Sequence, residues 1–105
     1  MPIPLSNRVE QAVALLFDEP QRSEITKRLI DEASENIPFC NDRRSSEMDR
    51  IRFSILKLVA QGGMDVDSVF ELAKVDWRDL FMAAGFGHSA TEHEVWFTKL
   101  TTQDS

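Results

Sequence analysis

Asp76-Trp77-Arg78-Asp79 sets two carboxylates three residues apart with a guanidinium between them, residue types that acid–base chemistry or anion recognition would use. Paired carboxylates serve as acid and base where their surroundings drive their pKa values apart. The flanking residues supply another reason for this pattern. As an N-cap, Asp76 accepts an amide hydrogen bond in the first turn of a helix, and Asp79 at the third helical position favours the positive end of its dipole. Val75 then falls where a hydrophobic staple would pack on Leu80. Gly85 stands where a left-handed residue closes the helix, with Phe86 reaching back to Phe81. Between these signals Trp77, Leu80, Phe81 and Ala84 repeat at core spacing, so Trp77 is expected as a core anchor while Arg78 and Met82 face outward.

The only two histidines, His88 and His93, flank Ser89-Ala90-Thr91-Glu92, which reads as a capping box. His88 and His93 then occupy the two staple positions and lie near each other. With Glu92 they are the best metal or enzyme candidates, joined by Cys40 if the fold brings it close. Zinc asks for at least three protein ligands, and no nearby Cys/His cluster completes the set. His93 also shares a face with Trp96, Phe97 and Leu100, which suits a partly buried ring with one hydrogen bond. No cofactor and no metal is therefore expected.

Asp65-Val66-Asp67 hints at calcium, but an EF-hand loop counted from Asp65 places Phe70 where glycine is required and Val69 at a ligand position. Arg43, Arg44, Arg50, Arg52 and Lys57 form the one basic concentration, interleaved with Asp42, Glu47 and Asp49. That mixture reads as a solvated face. Arg52 is the exception, because it falls inside an apolar arc, where an unpaired guanidinium is costly. Either Asp49 or an acid from another helix is expected to meet it, or its stem covers apolar surface at the edge of the arc.

The elements that must position these residues are all helical. Every long segment repeats apolar residues at helical spacing, and none alternates over a useful length. The spacing predicts an all-α fold of about six helices: about Asn7 to Phe17, about Gln21 to Glu35, a central helix from about Ser46 to Gln61, two short helices (Val66 to Lys74, Trp77 to Ala84) forming a helical corner, and Ala90 to about Leu100. The second helix has a polar outer face that reads as solvated. The central helix carries the widest apolar arc, Met48, Ile51, Ile55, Leu58 and Val59 extended by Phe53, Leu56 and Ala60, and Gly62-Gly63 stops it.

The chain has 105 residues, 42% of them hydrophobic and 29% charged, which fits one domain over residues 1–105 with short flexible ends at about 1–5 and 101–105. The opening MPIPLSN lacks a basic region before an apolar run, and no apolar stretch approaches the ~20 residues that cross a bilayer. A single cysteine suits a reducing cytoplasm. The net charge is −6, and residues 58–105 hold three basic residues against eight acids. That balance disfavours tracking the phosphates of a nucleic acid or an anionic membrane.

Val66 to Gly85 has the layout of a helix-turn-helix, although only Arg78 at the start of its second helix is suited to reading a base. The expectation is a small interaction or regulatory domain without catalysis, its partner another protein or a second copy, with Arg78 and Met82 on the interacting surface. A DNA-binding protein and an enzyme around His88 and His93 are the alternatives.

Overall fold

The computed structural model describes residues 5–33, 45–87 and 91–103. Among them are six α-helices and no strand: α1 (Asn7–Leu16), α2 (Gln21–Glu32), α3 (Ser45–Gln61), α4 (Val66–Val75), α5 (Trp77–Ala84) and α6 (Glu92–Gln103). The all-α architecture is thus the one that the periodicity predicts.

Helix α3 is the hub, packing against α1, α4, α5 and α6. Met48, Ile51, Phe53, Ile55, Leu56, Leu58 and Val59 are all buried, so apolar side chains leave this helix on almost every side. A helix that is apolar nearly all round belongs in the centre of a bundle. Ala60, expected to extend the arc, is exposed. Gly62 follows α3 with φ +74°, a backbone that glycine adopts without steric cost.

Side chains close the ends of the outer helices. Ser6 caps α1 by accepting from the Val9 amide at 3.3 Å. At the far end α1 stops at Leu16, with Phe17 extended (φ −133°, ψ 147°). Arg22 supports that end, donating to the carbonyls of Phe17 and Ala14. Asp65 caps α4 by accepting from the Ser68 amide and hydroxyl, at 3.3 and 2.6 Å. This accounts for the acid that opened the calcium-like stretch.

Three further sequence expectations change. Helix α2 ends at Glu32, with Ala33 outside helical geometry (φ −118°, ψ 60°), and Ser34 and Glu35, which the spacing adds to this helix, lie outside the described residues. Its polar face is also not simply solvated. Arg28 pairs with Glu32 one turn on and with Asp67 of α4, both at 2.6 Å, while Lys74 of α4 reaches Glu32 at 2.9 Å. The Arg28 guanidinium lies 4.4 Å from the centre of the Phe70 ring, so the charges that knit α2 to α4 also cover part of the core.

The third change is the start of α6. The Thr91 carbonyl accepts from the amides of Glu94 and Val95, and the first helical residue is Glu92. Thr91 thereby takes the N-cap position expected of Ser89, and His93 moves from the staple position into the first turn. Ser89 and Ala90 lie outside the described residues. At its other end α6 continues to Gln103, three residues past Leu100.

Candidate functional site

The α4–α5 corner is built around Asp76. Its amide donates to the Leu72 carbonyl at 2.8 Å and so finishes α4, while its carboxylate accepts from the Asp79 amide at 3.2 Å and so begins α5. One residue serves two helices. One oxygen of the Asp76 carboxylate is thereby engaged by the cap.

At the other end of α5 the Gly85 amide donates to Met82 O and the Phe86 amide to Phe81 O, with Gly85 at φ +85°. These two bonds and the left-handed glycine make a Schellman stop, sealed by buried Phe81 and Phe86. Two basic residues of α3 reinforce it. Lys57 donates to the Ala84 carbonyl at 2.6 Å, and Arg50 donates to the Gly87 carbonyl at 3.2 Å with its guanidinium 4.0 Å from the centre of the Phe81 ring. Positive charge at the C-terminal end of a helix is favourable.

The expected staple does not form: Leu80 is buried, but Val75 is 73% exposed. Val75 is itself the last residue of α4, whose buried face is Val69, Phe70 and Ala73. Two residues beyond Ala73 on a helix point to the far side, so α4 decides where Val75 faces before α5 can recruit it. Trp77 is half-buried and packs against the core edge, 5.7 Å from the Phe81 ring centre, with the Arg78 guanidinium 5.1 Å from its own. Met82 is 56% exposed, and Arg78 and Asp79 are exposed as well. The corner thus presents Val75, Arg78 and Met82 outward, beside the accessible edge of Trp77.

The histidine candidates separate. His88 and Cys40 lie outside the described residues, and Glu92 is exposed. His93 is only 2% exposed, and neither ring nitrogen has a hydrogen-bond partner among the described residues. This replaces the partly buried, singly hydrogen-bonded ring expected from the sequence. Its neighbours are rings: Phe53 with centroids 5.8 Å apart and Phe86 at 6.5 Å, with Trp96 and Phe97 around Phe53 at 5.6 and 5.2 Å. Burial pushes the imidazole below its ordinary pKa, and the positive charges of Arg8 and Arg50 act the same way against the opposing pull of Glu94. Among the described residues no group of three or more His, Cys, Asp or Glu side chains is placed to hold a metal.

No family model, curated protein or solved structure matches this chain.

Arg52 is fully buried and meets backbone. Its Nε donates to the Ala33 carbonyl at 3.0 Å and its Nη2 to the Leu29 carbonyl at 3.5 Å, so the guanidinium occupies the C-terminal end of α2. The expected acid nearby, Asp49, is instead bonded to Ser6, whose hydroxyl donates to Oδ1 at 2.8 Å. Burial raises the Asp49 carboxyl above the ordinary aspartate value, against the lowering effects of Ser6, Arg8 and Arg52. No local pattern marks a pair 43 residues apart, although Ser6 is visible from the sequence as a helix cap. A further hollow of about 430 Å³ runs along α2, lined by Arg22, Ser23, Thr26, Lys27, Ile30 and Asp31. Its lining mixes both signs of charge around a single apolar residue.

Proposed function

We propose that this protein is an interaction or regulatory module without catalysis, and that the outer side of the α4–α5 corner is its docking surface. The exposure of Val75 and Met82 carries the reading. They are the two most exposed large hydrophobic residues among those described, and they stand seven positions apart on either side of a tightly capped corner. Arg78 lies between them on the Trp77 ring, and arginine and tryptophan are enriched where partners bind tightly. The partner is another protein or a second copy of this chain, with the cytoplasm as the proposed setting. No helix among the described residues is long and apolar enough to cross a membrane.

The DNA-binding alternative draws less support from the same corner. A helix-turn-helix joins its helices by three or four residues, whereas Asp76 alone separates α4 from α5. Arg78, the one side chain suited to a base edge, is stacked on Trp77 between Asp76 and Asp79, whose charges repel phosphate.

A photo-crosslinking residue at position 75, compared with one at exposed Gln11 on α1, tests the proposal in source-cell lysate and with purified protein alone. A discrete adduct from position 75 that disappears in a folded Arg78→Glu/Met82→Asp variant is the expected result. The same adducts from both positions, or adducts indifferent to the double substitution, would remove the corner from consideration.

A further inference from the structure

Helix α6 is held to the bundle through a small set of rings. Among its described side chains only His93 is buried, while Trp96, Phe97 and Leu100 are half-buried and Val95 is 44% exposed. The imidazole sits against Phe53 of α3 and Phe86 of the segment that follows α5. Arg8 of α1 covers the same cluster, its guanidinium 5.7 Å from the Phe53 ring centre and 5.2 Å from that of Phe97, and pairs with Glu94 of α6 at 3.3 Å.

A neutral imidazole has one N–H donor and one acceptor; the imidazolium has two donors and a full charge. Inside this cluster neither nitrogen has a partner among the described residues, so protonation adds a second unmet donor and an ion to an apolar site. The charged groups around the contact do not offset that cost. Arg8 on α1 and Arg50 on α3 repel the imidazolium, Glu94 on α6 attracts it but is engaged by Arg8, Asp49 on α3 is bonded to Ser6, and Glu92 on α6 is exposed. Once α6 moves away, both nitrogens reach water. Docking and protonation therefore oppose each other.

We propose that His93 is a proton-operated latch: the neutral ring holds α6 against α1 and α3, and protonation of the ring releases the helix. The released helix binds the proton at the ordinary imidazole value of 6.5, and the docked helix binds it only at lower pH. Above 6.5 both forms are neutral and docking is at full strength. Below it, down to the docked value, each pH unit weakens docking about tenfold, because the released state carries one more proton.

Hydrogen–deuterium exchange of the full chain between pH 7.5 and 5, corrected for the intrinsic pH dependence of exchange, reads this directly. Amides of residues 93–103 are expected to lose protection about tenfold per pH unit below 6.5 while those of 51–59 keep theirs. His88→Gln should leave the response intact and His93→Phe should abolish it. If His93→Phe does not fold, nitrogen chemical shifts of the wild-type histidines decide instead: His93 must stay neutral at 6.5, where α6 begins to lose protection, and titrate only at lower pH. Protection of α6 that stays flat to pH 5, that falls equally in His93→Phe, or that falls together with α3 would overturn the latch.

Discussion

The guanidinium of Arg52, in the middle of α3, donates to the carbonyl oxygen of Ala33 just past the end of α2. The last carbonyls of a helix have no partner within it, and here a buried cation takes them up. The contact places a buried cation at the negative end of the α2 dipole.

Removing this contact should be severe. Arg52→Ala leaves a cavity and unmet buried carbonyls, for which a loss of about 3–5 kcal/mol is expected. Arg52→Met refills most of the volume but not the hydrogen bonds, so its cost should fall below that of Arg52→Ala while staying above about 1 kcal/mol. Urea unfolding of the two variants beside wild type gives the ranking; equal midpoints for all three would refute the capping role.

The two ends of α5 and α3 offer a matched pair of glycine tests. Gly85→Ala forces a left-handed alanine, which costs about 1–2 kcal/mol, and sets a Cβ 3.2 Å from the Lys57 ammonium that holds the Ala84 carbonyl. Gly63 lies outside the left-handed region, and an added Cβ there meets nothing within 4 Å. Gly63→Ala should therefore change stability by less than about 0.5 kcal/mol in the unfavourable direction, and a gain is expected from the stiffer unfolded chain. Thermal unfolding that ranks the two the other way would contradict the Schellman stop.

Asp49 predicts a pH effect of definite sign. Burial raises its carboxyl in the native state above the ordinary 3.8, so native protein holds a proton that unfolded protein has already released. Its contribution to stability falls as pH rises from 3.8 through the native value. In an Asp49→Asn variant the side-chain amide keeps an oxygen for the Ser6 hydroxyl and carries no charge. The variant should be the more stable protein at pH 7, with the advantage shrinking toward pH 3. An advantage that grows on acidification would show that the carboxylate is favoured where it sits.

The α2–α4 charge network should behave as a partly solvated one. The Arg28 hydrogen bond, followed by that from Lys74, lowers Glu32 below its ordinary value against the opposing effect of burial. Its stabilising contribution is present above pH 4.5 and fades as pH falls through the native value. A double-mutant cycle of Glu32→Gln with Lys74→Met is expected to give a coupling of about 0.2–1 kcal/mol that shrinks in high salt. A salt-independent coupling would point to packing instead of charge.

How far the sequence carries depends on the range of the interaction. Asp76 and Gly85 are legible because a cap involves a few neighbouring backbone groups, and the caps are where the pattern places them. Val75 is misread because two local rules compete there, and the residue obeys the helix that it ends instead of the one it precedes. Arg52 is legible as a problem, a charge within an apolar arc, but two of the groups that meet it are carbonyls 19 and 23 residues away that no side-chain pattern announces. His93 is legible as part of an apolar face; how completely it is buried depends on Phe53 and Phe86 meeting it from two other parts of the fold.

Because Asp76 finishes α4 with its amide and starts α5 with its carboxylate, no slack is left at the joint. The two short helices form an elbow that arrives already set. A partner closing on Val75 and Met82 would not have to order a loop first, so little of the favourable contact would be lost to conformational entropy. Lengthening the corner by even one residue would uncouple the two caps and return that entropic cost to the bound state.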